Sequence, residues 1–327
     1  MNQWPNPFIE QRADPFILRH GGEYYFIASV PEYDRLEIRR ATTLAGLRDA
    51  MPVVVWRKPE QGPMSELIWA PELHNIDGTW VIWFAAAATQ TLDTLGMFQH
   101  RMFALTCDNP DPLTGRWVER GQVKTPFDTF ALDATTFSHQ GKHWYLWAQK
   151  APDIAGNSNL YLAELENPWS IKGEPVMLSR PEFDWECRGF LVNEGPAVIT
   201  HGTRLFVSYS ASATDENYCM GLLWINLEDD PLQAANWHKS PQPVFTTSYE
   251  NRQYGPGHNS FTQTEEGEDV LVYHARNYTE IEGDPLYDPN RHTRLKLIRW
   301  NENGMPDFGT PPADTLTLTS HKSSVMP

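Results

Sequence analysis

Residues 13–29 read ADPFILRHGGEYYFIAS, the pattern of a β-strand, a glycine turn and a second strand rich in aromatic side chains. Four further segments repeat this pattern: APELHNIDGTWVIWFAA (70–86), LDATTFSHQGKHWYLWAQ (132–149), EGPAVITHGTRLFVSYS (194–210) and HNSFTQTEEGEDVLVYHAR (258–276). A single unit of this kind cannot bury its apolar face alone, so the five units are expected to stack on one another. The repeat predicts one closed array of similar units.

The turn glycines set the spacing of the repeat. Aligned on the glycines at positions 22, 78, 141, 202 and 267, successive units lie 56, 63, 61 and 65 residues apart. The position eight residues before each glycine is occupied by Asp14, Ala70, Asp133, Glu194 and Asn259. Because three of these equivalent positions hold carboxylates, we expect the three to converge at one place in the fold.

The rest of the chain contains many short strand candidates and little helical periodicity. Runs of four to seven residues rich in Tyr, Trp, Val, Ile and Phe alternate with Gly, Pro, Asn and Asp clusters, which is typical of an all-β protein. Each unit has material for about four strands, the usual size of a propeller blade. We therefore predict a single five-bladed β-propeller that forms one domain over residues 1–327.

Composition restricts the partners. Lys and Arg total 26 and Asp and Glu total 42, so the formal net charge is −16. A field of this sign repels phosphate backbones and anionic lipid, so neither nucleic acid nor a membrane is expected as a partner. The chain contains 13 Trp and 12 Tyr residues. Most of these rings are expected to fill the blade interfaces, but aromatic side chains also stack on the apolar faces of sugars.

Neither cysteine usage nor the start of the chain indicates export. The three cysteines Cys107, Cys187 and Cys219 are scattered, which fits neither a zinc site nor a disulfide framework. The first residues, MNQWPNPF, lack the charged and apolar regions of a signal peptide. No run of eighteen apolar residues is present to span a bilayer. These features predict a cytoplasmic protein.

Three carboxylates around one channel mouth suit acid–base catalysis. The innermost strand of a propeller blade runs along the central channel, so Asp14, Asp133 and Glu194 would form part of a ring. Mutual repulsion and burial would raise at least one pKa, and a catalyst that needs a base and an acid together gains from that. The alternative is that Asp14 and Asp133 are turn or cap residues.

The motifs RADPFILRHGGEYYF, WAPELHNIDGTWVIWF, ALDATTF, VNEGPAVI and GPGHNSF resemble the blade motifs of glycoside hydrolase family 43. The resemblance covers all five blades and implies an inverting hydrolase. Asp14 would be the general base, Glu194 the general acid, and Asp133 the residue that orients the acid and tunes its pKa. Inversion requires a water between base and anomeric carbon, so the two carboxyls should lie roughly 6.5–9.5 Å apart.

The resemblance is greatest to exo-acting α-L-arabinofuranosidases that trim arabino-oligosaccharides. A β-xylosidase acting on xylo-oligosaccharides and an endo-arabinanase are the enzymatic alternatives. A propeller that binds sugars without cutting them is the alternative outside enzymes. It would need aromatic residues but no ring of carboxylates.

One other acid competes for a catalytic role. Glu186 lies in DWECRGF (184–190), and the WEC string is similar to a motif of the retaining fructosidases of glycoside hydrolase family 32. Those enzymes carry an NDPNG-like nucleophile motif, which RADPFIL does not match, and Glu186 lies eight residues from the repeat position. We therefore interpret Glu186 as a supporting or loop residue.

Four further residues are candidates for the site. Trp69 precedes the repeat position of the second unit and could form the floor of a sugar subsite, and Glu72 should alternate to the same strand face. Arg276 ends an aromatic strand and would either contact sugar hydroxyls, restrain the carboxylates or form a structural ion pair. The resemblance implies that His258 lies near a metal ion, usually calcium held mostly through water. A satisfied core histidine is the alternative, because calcium prefers oxygen ligands.

Overall fold

The computed structural model describes residues 4–315, which form five antiparallel sheets around one channel. In each sheet the strands follow one another in chain order from the channel outward. Blade one contains β1 (Ala13–His20), β2 (Glu23–Ser29), β3 (Arg35–Ala41) and β4 (Val53–Arg57); blade two contains β5 (Glu66–Ile76), β6 (Thr79–Ala87), β7 (Arg101–Cys107) and β8 (Val118–Gln122); blade three contains β9 (Ala131–His139), β10 (Lys142–Gln149), β11 (Asn159–Asn167) and β12 (Ser170–Ser179).

The last two blades are shorter at their outer edge. Blade four contains β13 (Asn193–His201), β14 (Arg204–Ala211), β15 (Cys219–Asn226) and β16 (His238–Lys239), and blade five contains β17 (Tyr254–Gln263), β18 (Asp269–Arg276) and β19 (His292–Leu297). A two-stranded pair of β20 (Arg299–Trp300) and β21 (Pro306–Asp307) follows. The helical segments of the described residues are single 3₁₀ turns at Ala45–Arg48, Asp184–Glu186, Ala234–Asn236 and Pro285–Tyr287. None of them has the length or apolar character needed to span a membrane.

The prediction of an all-β, five-bladed propeller is confirmed. The innermost strands β1, β5, β9, β13 and β17 pack against one another around the ring, with β17 also packed against β1. The prediction of one domain over residues 1–327 stays a prediction at both ends, because residues 1–3 and 316–327 lie outside the described part.

The segment before β1 closes the ring. Ile9 pairs with Thr293 of β19, and the Thr293 N–H donates to the Ile9 carbonyl over 2.9 Å. Asn6 continues this contact, because its side chain both donates to the Leu295 carbonyl (3.1 Å) and accepts from the Leu295 N–H (3.1 Å). The outer edge of blade five is therefore covered by the chain that leads into blade one, which joins the two ends of the array.

The second strand of each blade is buried almost throughout. In β6 all residues except the first are buried, and β10 is buried from Trp144 to Gln149. These strands lie in sheets that have another blade on each face, so apolar and aromatic residues are needed on both sides. Trp83, Tyr145 and Trp147 accordingly lie in one core cluster between blades two and three. Much of the aromatic content serves this packing.

Candidate active site

Each innermost strand carries a β-bulge at an equivalent position, where two residues lie opposite one residue of the next strand, and β5 and β17 carry a second bulge nearer their start. The first residue of the equivalent bulge has a positive φ in every blade: Asp14 (55°), Ala70 (44°), Asp133 (57°), Gly195 (55°) and His258 (39°). A bulge bends its strand and redirects the side chain. Apart from Gly195, which has no side chain, all of these residues line the same cavity. Asp and Ala in this backbone region are strained, which is characteristic of functional sites.

Glu194 does not occupy the position equivalent to Asp14 and Asp133, contrary to the expectation from the repeat. It lies one residue before the bulge of its strand, and Gly195 takes the equivalent position. The turn explains the difference. In blade four the glycine is the first residue of the two-residue turn between β13 and β14, whereas in blades one to three the aligned glycine is the second. The Glu194 side chain nevertheless lines the cavity, as does that of Trp69, which precedes the bulge of blade two.

The equivalent residue of blade five is His258, where the repeat indicated Asn259. In blade five the glycine is the fourth residue of a five-residue loop between Gln263 and Asp269, two places later than in blades one to three, but the bulge lies one residue nearer the end of its strand. A count from this glycine is therefore shifted by one. Asn259 instead accepts a 2.8 Å hydrogen bond from Ser208 at its side-chain oxygen and is buried. His258, on the other hand, lies among the carboxylates.

The cavity at the bulges has a volume of about 460 Å³, within the range usual for small-molecule sites. Asp14, Asp133 and Glu194 all line it, so the structure brings the three predicted carboxylates together. Its walls come from β5 and from loops of several blades and are largely apolar. They include Tyr33, Trp69, Phe98, Phe130, Phe190 and Leu286.

Asp14 is held in its ionised form. Burial opposes that form, but the charges of His258 and Arg291 outweigh it and hold the pKa of Asp14 well below its usual range. His258 Nδ1 lies 3.2 Å from Asp14 Oδ1, and Arg291 Nη1 lies 3.5 Å from the same oxygen. The other oxygen, Oδ2, accepts a 2.5 Å hydrogen bond from Ser29. The backbone N–H of Asp14 donates to His274 Nδ1 over 3.0 Å, which fixes the strand at this point.

Asp133 and Glu194 share an environment that favours the protonated form of a carboxyl group. Burial is the main cause that raises the pKa of Glu194 to about 8, and the negative charge of Asp133 adds to it. Burial likewise raises the pKa of Asp133 to about 6, although His258 and the Gly195 N–H oppose the shift. That N–H donates to Asp133 Oδ2 over 2.9 Å. Between these two values the pair holds one proton, chiefly on Glu194.

His258 is a cation that links the carboxylates of blades one and three. Its Nδ1 lies 3.2 Å from Asp14 and 3.7 Å from Asp133 Oδ2. Burial disfavours the charged ring, but Asp133 and Asp14 together raise the pKa of His258 to about 10. Calcium prefers oxygen ligands, so the ring nitrogen is a poor direct ligand for it.

Nor do the remaining donors form a direct metal site. Within residues 4–315 no group of three or more His, Cys, Asp and Glu side chains is arranged to hold a metal ion. A calcium ion held through water beside His258 remains a prediction.

The other predicted residues have distinct surroundings. Trp69 lines the cavity and stacks on His100, with ring centroids 3.7 Å apart. Glu72 is buried and pairs with His74 over 2.8 Å, and its charge contributes to the raised pKa of Asp133. It is a fourth carboxylate near the ring, but it does not line the cavity.

Arg276 makes the contacts of a structural ion pair. Its Nε donates to Asp288 Oδ1 over 3.0 Å, and its two terminal nitrogens donate to the Thr214 carbonyl (2.7 Å) and the Pro285 carbonyl (2.6 Å). The side chain does not line the cavity. These contacts instead brace the loop before β19, which brings Leu286 to the cavity wall.

Glu186 lies outside the site and has a complete set of partners. It is fully buried, and Lys239 Nζ lies 2.9 Å from its Oε1. Tyr209 and Asn193 also donate to Oε1, over 2.8 and 3.0 Å. These contacts agree with the interpretation of Glu186 as a supporting residue.

Sequence reasoning did not identify Ser29, Tyr218, His274 and Arg291, which contact the catalytic candidates. Tyr218 donates a 2.8 Å hydrogen bond to Glu194 Oε1. Ser29 and His274 lie in the second strands β2 and β18, and Tyr218 and Arg291 lie in the loops directly before β15 and β19. Only Ser29 and His274 fall within the quoted repeat segments, and neither stands at the aligned position.

The family model of Glycosyl hydrolases family 43 matches residues 4–306. A Streptomyces avermitilis protein named extracellular exo-α-(1→5)-L-arabinofuranosidase is 52% identical over 314 residues, which is 95% of this chain and 64% of that protein. A protein of the same name from Streptomyces chartreusis is 49% identical over 86% of this chain and 85% of its own length. The chain thus spans about 64% of the length of the first of these relatives.

A solved structure agrees with these relatives. The α-L-arabinofuranosidase of Lactobacillus brevis superimposes with a TM-score of 0.95 and is 57% identical, with 96% of this chain and 98% of that chain covered.

The prediction of a cytoplasmic protein is wrong on these findings. Both Streptomyces relatives are named extracellular, at 52% and 49% identity. Scarce cysteines and an uninformative first segment are therefore a poor guide to location in this case.

Proposed function

Because the chain belongs to glycosyl hydrolase family 43, we propose that it is an inverting exo-α-L-arabinofuranosidase acting on arabino-oligosaccharides. The observation that carries the proposal is the separation of protonation states within one cavity. Asp14 is ionised at neutral pH, whereas burial and Asp133 raise the pKa of Glu194 to about 8. A base and an acid that are each in the required form at the same pH are what inversion needs.

The chemistry follows from these two states. Asp14 accepts a proton from a water molecule, whose oxygen attacks the anomeric carbon of the terminal sugar. Glu194 gives its proton to the glycosidic oxygen as the carbon–oxygen bond breaks, and the bonding electrons remain on that oxygen. Asp14 and Glu194 come from blades one and four, with blade five between them, which supports a separation wide enough for the water.

Asp133 and His258 set the charge around the base Asp14 and the acid Glu194. Asp133 keeps Glu194 protonated through its negative charge and holds the Gly195 N–H over 2.9 Å. His258 balances the two aspartates, which otherwise would repel each other in a buried site. Neither residue needs to exchange a proton with the substrate.

The cavity walls support action at a chain end. Loops of blades two, four and five contribute Phe98, Phe190 and Leu286, which stand around a volume of about 460 Å³. The Leu286 loop is held by Tyr33, whose hydroxyl donates to the Leu286 carbonyl over 2.5 Å, and by Arg276. A walled cavity accommodates one terminal sugar better than the middle of a polymer. The names of the Streptomyces relatives support arabinose and an extracellular location.

The experiment is hydrolysis of linear α-1,5-linked arabino-oligosaccharides, followed by NMR during the first turnovers. We expect release of arabinose one unit at a time, with the β-anomer appearing first. Aryl α-L-arabinofuranoside should be cleaved much faster than aryl β-D-xyloside. Preference for the xyloside would replace the proposal by a β-xylosidase, and internal cleavage would replace it by an endo-arabinanase. Sugar binding without turnover would leave only a binding propeller.

A further inference from the structure

Tyr218 touches the proposed acid directly. Its hydroxyl donates to Glu194 Oε1 over 2.8 Å, and the residue is buried. Burial and the charge of Glu194 raise the pKa of Tyr218 well above its usual value, so the phenol keeps its proton and remains a donor. The hydrogen bond is therefore present throughout the working pH range.

Ser210 is a neighbour of Tyr218 and is itself held by the backbone. The His258 N–H donates to Ser210 Oγ over 2.7 Å, and a backbone N–H cannot act otherwise. Burial and the charge of Glu194 outweigh the effect of Ser210, which lowers the pKa of Tyr218. The Tyr218 O–H donates to Glu194 Oε1, which can only accept whenever Glu194 is ionised.

The fold makes room for this ring. A Cβ on Gly257 would lie 2.5 Å from Tyr218 Cε1 and 3.0 Å from Ser210 Oγ, distances that require something to shift. Gly257 does not have a positive φ, so space and not backbone conformation explains the glycine. The Tyr218 ring also stacks on His274, with centroids 5.7 Å apart and an angle of 11°. The hydroxyl is thus held in place from several directions.

We propose that Tyr218 is a positioning residue that holds Glu194 Oε1 as an acceptor and so confines the acid proton to Oε2. The inference rests on the proposed function, since it assumes that Glu194 protonates the leaving group. A carboxyl oxygen that accepts from a phenol is a poor place for a second proton. The Oε2–H bond is then the one that breaks when the glycosidic oxygen takes the proton.

The test is Tyr218→Phe, which removes the hydroxyl and keeps the ring. Two substrates are compared: an arabino-oligosaccharide, whose alcohol leaving group needs the acid, and nitrophenyl α-L-arabinofuranoside, whose leaving group scarcely does. General acid catalysis contributes about 10²–10⁴-fold, so we expect kcat on the oligosaccharide to fall by about tenfold or more. The nitrophenyl substrate should lose no more than about threefold by the same reasoning.

The matched control is Tyr273→Phe. Tyr273 is also fully buried in blade five, and its hydroxyl has no hydrogen-bond partner among residues 4–315. This variant should leave both rates unchanged. Thermal unfolding of both variants reports any general damage to the fold.

The pH profile gives a second readout. Burial, Asp133 and Asp14 raise the pKa of Glu194, whereas His258 and the Tyr218 hydrogen bond lower it. Removal of the hydroxyl should therefore raise this pKa and move the basic limb of kcat/KM to higher pH. A merely structural defect would lower the plateau and leave the limb in place.

Equal losses on both substrates with an unmoved basic limb would overturn the role of Tyr218. The proposed function would fail differently: Glu194→Gln would then retain oligosaccharide hydrolysis, whatever Tyr218→Phe does. If Glu194→Gln loses activity and Tyr218→Phe slows both substrates equally, the proposed hydrolase function stands. Only the positioning role of Tyr218 is then refuted.

Discussion

Replacement of Asp133 by Asn removes one negative charge from the cavity and changes little else. The Asn side-chain oxygen can still accept from the Gly195 N–H, which now donates to Asp133 Oδ2 over 2.9 Å. With a pKa of about 6, Asp133 is ionised in the range where Glu194 loses its proton. The substitution therefore tests whether this charge keeps the acid protonated.

The structure sets the size of the effect. The pKa of Glu194 is raised from 4.5 to about 8, with burial as the first cause and Asp133 as the second. One neighbouring charge shifts a carboxyl pKa by about one to three pH units. The burial contribution remains in Asp133→Asn, so the pKa of Glu194 should fall but stay above 4.5. Activity requires the protonated acid, so the basic limb of the profile, expected near pH 8, should move downward by about one to three pH units.

The assay is kcat/KM against pH on an arabino-oligosaccharide, because this ratio reports the ionisation of the free enzyme. Asp77→Asn is the control: it removes the same charge from a side chain that is 82% exposed on a turn. Its profile should match that of the unchanged protein. A basic limb in Asp133→Asn that stays in place or moves upward would refute the electrostatic role of Asp133.

Three further expectations follow from the site. Asp14→Asn should lower kcat by about 10²–10⁴-fold through loss of the base while sugar affinity, measured by calorimetry, is retained; a rate near normal would exclude Asp14 as the base. Arg276→Gln removes the ion pair to Asp288 and should raise KM more than it lowers kcat, since the Leu286 loop loosens; an unchanged KM would argue against that support. If calcium lies beside His258, a chelator should lower the midpoint of thermal unfolding and added calcium should restore it. Identical unfolding curves with and without the chelator would refute the prediction of a bound calcium ion.

Much of the fold could be predicted from the repeat. Five strand–turn–strand units of similar length require mutual burial, and the second strand of each is apolar on both faces, as in TWVIWFAAA of β6. The candidate carboxylates could also be predicted from the sequence, since Asp14 and Asp133 share a position in the repeat. Glu194 was found through an alignment that is one residue off, because a glycine can occupy either position of a two-residue turn.

The linear sequence decided that five similar units must assemble into a ring, because each exposes apolar surface that only another unit can cover. Only the tertiary structure decided which side chains enter the cavity. That choice is made by the bulges, which depend on pairing between strands, and by contacts such as Tyr218 with Glu194 and Arg291 with Asp14. Arg291 and Asp14 are 277 residues apart and meet through closure of the ring, so no local pattern could indicate their contact.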